Sequence, residues 1–487
     1  MTTEARTRQS SLRRTVTQDL IAFSPLDVRF VLRYATIIAG WKLLSLDYSA
    51  LAKIAGRDGL FVLPAGLQWF QAYEAVLLGT DAAILAWQVA AVVLLGFGAL
   101  RLNRGAIAGA IVPVVILEWA AYRFRGQLYE LDTPIAVLAI LVIYPTPWQH
   151  CLRGGSHVSA AATGVGRALA AYFAVIYFLC GYSKLALSPT WWQSVHLELL
   201  LASMWLWQSA RLPEPLLTSA SLMRDVFVVW PWVGTVAAVV TLTAELAWFA
   251  ALLSRWGRRL VVPTMLACHA AIFLGSGINF FMFGTMALVV VTPWRCLIHD
   301  SSSLAPVAGF RVRGRDQVLL IGAVLLGALP AIASNHYFPF SNYNQFGWSY
   351  ERTSERTTIY RVGYRPGPDR PAMIIPMNHG GFMDFRWVSG TGSILEVLAR
   401  TPEGPERERL LRVLRNFLSA LRPQHSNARL LGPLTLPPHV VAASSAVDIA
   451  RTSDFRVLRG ESEFRDGDVR IKWHDEGPLS AVDDVTQ

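Results

Sequence analysis

Three ionisable side chains stand in apolar surroundings in this chain of 487 residues: Lys184, Glu245 and His269. Lys184 is one of only four lysines, the others being Lys42, Lys53 and Lys472, and it sits near the end of a long apolar run, in Phe178-Leu-Cys-Gly-Tyr-Ser-Lys184-Leu. An ammonium carried to bilayer depth costs roughly 2.5 to 3.5 kcal/mol. Two readings follow. Lys184 snorkels to the membrane surface, or it faces a protein cavity where burial favours the neutral amine, a base or nucleophile. Glu245 and His269 lie far from the ends of their own apolar runs, and such groups face the interior of a helix bundle and pair. A structural hydrogen bond between the two and a catalytic one remain alternatives.

Further polar and aromatic residues cluster around these three. Glu118, Arg123, Arg125, Tyr129, Glu130 and Asp132 fall close together in the chain. They form either a loop of compensating charges or a carboxylate and guanidinium lining at a cavity mouth. Tyr182, Trp191 and Trp192 flank Lys184, and Phe280 follows a glycine-containing turn. These aromatics are candidate substrate contacts. No spacing of ligand residues suggests a metal, and the consecutive aspartates Asp483 and Asp484 lie at the C-terminus.

The elements that must position them are helices. Hydrophobic residues make up 53% of the chain and charged residues 16%, where soluble proteins carry about 25% charged. The apolar residues fill the stretch 28–334. With ~20 residues needed per crossing and ~17 as a lower limit, about nine spans are expected. They run near 28–46, 82–100, 106–121, 133–148, 166–187, 226–253, 260–278, 279–294 and 318–334, the third, fourth and eighth being short. A tight loop at 254–259 makes the Glu245 and His269 helices antiparallel neighbours.

Forty of the 44 basic residues are arginines, and they lie mainly in loops. Positively charged loops stay cytoplasmic. Arg6, Arg8, Arg13, Arg14, Arg101, Arg104, Arg153, Arg255, Arg258 and Arg259 thus put the N-terminus inside, with Lys53, Arg57, Arg123, Arg125, Arg211 and Arg224 outside. An odd number of spans carries the C-terminal region out. The organisation expected is a cytoplasmic tail at 1–27, a polytopic α-helical bundle at 28–334, and a small extracytoplasmic α+β domain at 335–487. Strands are expected at 357–364, 373–377, 455–459 and 469–473, the last two as a hairpin around Asp466 and Gly467, with a helix at 406–421.

Two outer connections, 47–81 and 188–225, are long enough to hold interfacial helices, the first including an amphipathic stretch at 67–78. The four cysteines all precede residue 297, which excludes a disulfide scaffold in the C-terminal region. No removable signal peptide is expected. The chain lacks zinc-finger spacing, a Walker loop and an RNA-recognition signature, so the net charge of +10 does not indicate nucleic acid. No internal repeat of the kind found in secondary transporters is seen.

In order and spacing, these features resemble the vitamin K-dependent gamma-carboxylase and HTTM membrane family. The run Gly181-Tyr-Ser-Lys184-Leu185 with Trp191 and Trp192 downstream is similar to that family's Gly-x-x-Lys-Leu stretch. The Glu245 helix, the His269 helix, Phe280 and Pro293-Trp294 resemble its later helices, and Arg33 with Gly40 its first. The resemblance covers roughly residues 25 to 300. It implies a multi-pass protein of the cell membrane with an outward- or lumen-facing cavity, where the matching Lys184 deprotonates a reduced quinone of the vitamin K type and couples its epoxidation to carboxylation of glutamate. One departure stands out: where the family's carboxylases place a histidine after the third helix, this chain reads Arg125-Gly-Gln-Leu-Tyr-Glu130-Leu-Asp132.

The expectation is therefore a gamma-carboxylase-like lyase acting on a lipid-soluble quinone or isoprenoid, or on a secreted peptide. Lys184 would be the base, with Glu245 and His269 orienting it or relaying protons. Two other readings compete. One is rearrangement or cyclisation of a prenyl lipid between aromatic walls. The other is a non-enzymatic membrane accessory protein for maturation or export of a secreted peptide, which predicts that Lys184→Arg preserves function.

Overall fold

The computed structural model describes residues 22–45, 68–125, 129–144, 148–153, 158–187, 229–276 and 281–292, together with short pieces at 48, 52, 55, 191–193, 197, 219, 222–223 and 225–227. Towards the C-terminus it describes 356–364, 372–374, 402, 404–410, 440–442, 455–465 and 468–478. The expected ninth span at 318–334, Phe280, and most of both outer connections lie outside these residues.

Eleven helices order the N-terminal part among the described residues: α1 Pro25–Ser45, α2 Gln68–Leu78, α3 Asp81–Arg101, α4 Arg104–Arg125, α5 Tyr129–Ile143, α6 Trp148–Leu152, α7 Ala160–Leu187, α8 Pro231–Leu246, α9 Trp248–Leu253, α10 Arg255–Ser276 and α11 Phe281–Val291. Helix α2 occupies the expected amphipathic stretch. Three segments, Asp81–Arg101, Ala160–Tyr182 and Trp256–Leu274, are long and apolar enough to cross a membrane, and Thr133–Ile143 and Pro231–Leu246 are shorter apolar helices.

Local chemistry explains where these helices start and turn. Ser24 and Asp27 cap α1 reciprocally, the Ser24 N–H donating to Asp27 Oδ2 at 2.7 Å and the Asp27 N–H to Ser24 Oγ at 3.2 Å. Thr80 caps α3 by accepting from the Ala83 N–H at 3.1 Å. Leu102 ends α3 in the left-handed region (φ 52°), and Asn103 Oδ1 caps α4 by accepting from the Ala106 N–H at 3.0 Å. The resulting turn folds α3 and α4 into a hairpin. Gly98 is required there, because a Cβ would stand 2.5 Å from Ile107 Cδ1.

Helix α7 lies at the centre, packed against α1, α5, α6, α8, α9 and α11. Most of its apolar length is buried. Its first turn is tied to the segment before α1: the Phe23 N–H donates to Thr163 Oγ1 at 3.0 Å, and the Ser159 N–H donates to the Phe23 carbonyl at 3.2 Å. The outer helices carry apolar residues outward as well as inward. On α3, Leu85, Val89, Val93, Phe97 and Leu100 are exposed, and on α8 Trp232, Val236, Val239 and Val240 are. Burying a helix's inner stripe while leaving its outer face equally apolar suits lipid and penalises contact with water.

The expected single span at 226–253 is broken. Ala247 (φ −82°, ψ 3°) interrupts it between α8 and α9, and the Ala250 N–H donates to the Ala247 carbonyl at 2.8 Å in a 3₁₀-type turn. The turn from α9 into α10 is tight, as expected, with Ser254 Oγ accepting from the Gly257 N–H at 2.8 Å.

Five strands form one sheet in the order β3-β2-β1-β4-β5: β1 Arg356–Tyr364, β2 Ala372–Ile374, β3 Val440–Ala442, β4 Phe455–Arg465 and β5 Asp468–Pro478. The expected hairpin on either side of Asp466 and Gly467 is present and longer than its apolar cores, pairing Phe464 with Val469 and Arg459 with His474. Strand β1 lies antiparallel to both β2 and β4, whereas β2 and β3 are parallel. Residues 405–410 are helical, and the rest of the helix expected at 406–421 lies outside the described residues.

Candidate functional site

Helix α7 presents Tyr177, Cys180, Gly181 and Lys184 along one side, at the i, i+3, i+4, i+7 spacing of a single helical face. Helix α8 brings Glu245 to the end of this face. Gly181 permits the approach: a Cβ at that position would stand 3.1 Å from Glu245 Cβ and 3.1 Å from Leu246 Cγ.

Lys184 does not snorkel. Its Nζ donates to both oxygens of Glu245, at 2.6 Å to Oε1 and 2.7 Å to Oε2, and both residues are buried, 4% and 7% exposed. Trp191 lies over the ammonium, its ring centroid 5.4 Å from Nζ, and is itself buried against Ala238 and Leu242 of α8. The ammonium is thus held by a bidentate carboxylate and an indole face, both of which stabilise a desolvated cation.

His269 finds a different partner from the one its neighbouring helix suggested. Its Nε2 lies 3.3 Å from the Tyr177 hydroxyl. On the other side of the ring, a Cβ on Gly284 of α11 would stand 3.2 Å from Nδ1, so α11 closes against the imidazole. Tyr177 is also stacked on Trp248, the first residue of α9, with centroids 4.1 Å apart and planes inclined by 26°. Glu245 and Trp248, three residues apart on either side of Ala247, both meet α7. Beside them the Thr241 hydroxyl, which donates to the Ala237 carbonyl at 2.8 Å, lies 3.5 Å from Cys268 Sγ, and neither Cys180 nor Cys268 is joined in a disulfide.

The structure brings Lys184, Glu245 and Trp191 into direct contact and places His269 in the adjoining Tyr177–Trp248 group. Tyr182 is not in this cluster. It is 58% exposed and stacked on Phe178 at 6.4 Å, on another side of α7. Trp192 is partly exposed next to buried Trp191. Arg125 ends α4 and Tyr129 begins α5, but their side chains, like Phe280, lie outside the described residues. Glu118 of the same expected group is fully buried and accepts from the Tyr48 hydroxyl at 2.5 Å. Among the described residues, no group of three or more histidine, cysteine, aspartate or glutamate side chains could hold a metal ion.

Tyr177, Trp248, Thr241 and the two thiols did not stand out in the sequence, because aromatic and small polar residues within apolar helices resemble core. A usable signal was present: Tyr177 lies about two turns before Lys184, and Trp248 about one turn after Glu245. No protein-family model, no curated protein and no solved structure matches the chain.

Proposed function

We propose that this protein is a multi-pass membrane enzyme resembling the vitamin K-dependent gamma-carboxylases, and that the Lys184–Glu245 pair moves a proton to and from a lipid-soluble substrate. The bidentate, buried contact of 2.6 and 2.7 Å supports this reading most directly. Two charges removed from water each pay a desolvation cost, which mutual attraction only partly returns. Transfer of one proton from the ammonium to the carboxylate cancels both charges and leaves a neutral amine beside a carboxylic acid. That amine is the base. It takes a proton from an acidic hydroxyl of the substrate, becoming an ammonium, while Glu245 holds its proton for return or release. Tyr177 and His269 form the adjoining polar group through which a proton can leave.

A reduced quinone, when bound, supplies such a hydroxyl and an electron-rich ring oxygen once the proton is lost. The residues present fit a planar, apolar, oxygen-bearing molecule in chemical type: indole rings at Trp191 and Trp248, an amine and a carboxylate. The stretch from Arg125 to Asp132 supplies no histidine, so in this reading proton handling falls to the Lys184–Glu245 and Tyr177–His269 groups. A nine-span topology with the C-terminal region outside the cell membrane belongs to the same proposal, as does an extracytoplasmic role for the sheet in capping the cavity or presenting a peptide.

The test compares membranes bearing the native chain, Lys184→Ala and Lys184→Arg, incubated with reduced menaquinone, oxygen and bicarbonate, by mass spectrometry of the extracted lipids. Quinone epoxide formed by the native chain alone is the expected result, since arginine stays protonated and cannot serve as the base. A different lipid product that depends on Lys184 would replace carboxylase-type chemistry with prenyl-lipid rearrangement. Lipids identical in all three membranes would overturn the enzyme and favour the accessory protein.

A further inference from the structure

Indole nitrogen is a donor only, and a buried indole N–H in an apolar setting ordinarily finds an acceptor. Two other tryptophans in this bundle do so: Trp87 donates to the Leu77 carbonyl at 3.0 Å and Trp148 to the Leu141 carbonyl at 3.0 Å. Trp248 departs from that pattern. It is 1% exposed, among the largest fully buried side chains, and its Nε1 meets no acceptor among the described residues.

Its surroundings are those of the candidate site. The ring is stacked on Tyr177, whose hydroxyl lies against His269, and Trp248 follows Glu245 by about one helical turn. The carbonyls just before it are engaged, that of Thr243 by the Ala247 N–H and that of Ala247 by the Ala250 N–H, both at 2.8 Å. A 3₁₀ turn inside a helix, a large ring and an orphaned donor coincide at one point of the bundle.

We infer that the indole N–H of Trp248 donates a hydrogen bond to an oxygen of a lipid-soluble ligand, a carbonyl or ring-bound oxygen, bound among α7, α8 and α9. This assignment deepens the proposed function and rests on it for the identity of the cluster as a substrate site. A donor that does not ionise and cannot accept binds an acceptor and rejects a cation, so the ligand end it meets is neutral or anionic. A quinone carbonyl and the ester carbonyl of a membrane lipid share this chemistry.

The experiment uses the full chain in detergent, native and Trp248→Phe, with oxidised menaquinone and dioleoyl phosphatidylglycerol as separate probes, read by thermal unfolding and by probe titration. Phenylalanine keeps an aromatic ring against Tyr177 and removes the N–H. Without probe, Trp248→Phe removes an unsatisfied donor and leaves a small cavity beside Tyr177, two changes of opposite sign, so its unfolding temperature is expected to stay close to native. Its affinity for one of the probes is expected to fall about threefold to tenfold, the worth of one hydrogen bond. The probe whose affinity falls identifies the source of the oxygen.

A folded variant that binds both probes with native affinity would overturn the inference, since the N–H would then meet no ligand oxygen. So would a native chain that binds neither probe. Failure of the proposed function looks different: no Lys184-dependent turnover, with probe binding still sensitive to Trp248.

Discussion

The backbone of Gly181 lies so close to Glu245 that a Cβ would stand 3.1 Å from the Glu245 Cβ. A glycine on a central helix thus sets the distance at which a lysine one turn further on meets its carboxylate. A side chain at position 181 forces α7 and α8 to give at their closest approach. Gly181→Ala is expected to weaken the pair, and Gly181→Val to separate it with a loss of about 1 to 3 kcal/mol in stability. Thermal unfolding of both variants in detergent, beside the lipid assay, checks the order native, alanine, valine.

Removing either partner of the buried ion pair strands a charge. Lys184→Met and Glu245→Met alone are each expected to cost about 3 to 5 kcal/mol, whereas the double variant, with no charge left to bury, recovers most of that loss. Function separates from folding here. The double variant should fold near native stability and show no Lys184-dependent lipid product, and a folded, fully active double variant would remove the pair from the chemistry.

Tyr177 joins two contacts through different parts of one side chain. Tyr177→Phe keeps the ring against Trp248 and takes the hydroxyl from His269, leaving a buried imidazole nitrogen without it, at a cost of about 1 to 3 kcal/mol. His269→Phe in the same background is then expected to add little, because the two side chains share one hydrogen bond. A double-mutant cycle by thermal unfolding measures the coupling, and simple additivity of the two losses would dismiss it.

The outer face of α3 distinguishes lipid from water. Val93 is 61% exposed on a helix long and apolar enough to span a bilayer. On a soluble surface Val93→Arg would change stability by no more than about 0.5 kcal/mol. Facing lipid near mid-bilayer, the same arginine costs roughly 2.5 to 3.5 kcal/mol. The yield of membrane-integrated chain is therefore expected to fall sharply for Val93→Arg and little for Val93→Leu, with equal yields speaking against a spanning α3.

Much of the helical frame was legible because apolar length is local. The tight turn at Ser254 likewise acts through neighbours a few residues away. The strands β1, β4 and β5 were legible from short runs of strand-forming residues at 357–364, 455–459 and 469–473. The break at Ala247 was not, since alanine next to tryptophan carries no local signal for leaving a helix.

What the sequence by itself determined was which residues had to find partners: a lysine, a glutamate and a histidine in apolar helices cannot stay bare, because the low-dielectric surroundings penalise each of them. It also placed Lys184 close enough to a helix end for two outcomes, surface or interior. Tertiary structure alone chose between them. Pairing depends on which helix faces cross and how near their backbones come, and those follow from the packing of small residues such as Gly181 and Gly284 against Glu245 and His269. Adjacency along the chain pointed Glu245 towards His269; the crossing of α7 with α8 and α10 gave Glu245 to Lys184 and His269 to Tyr177.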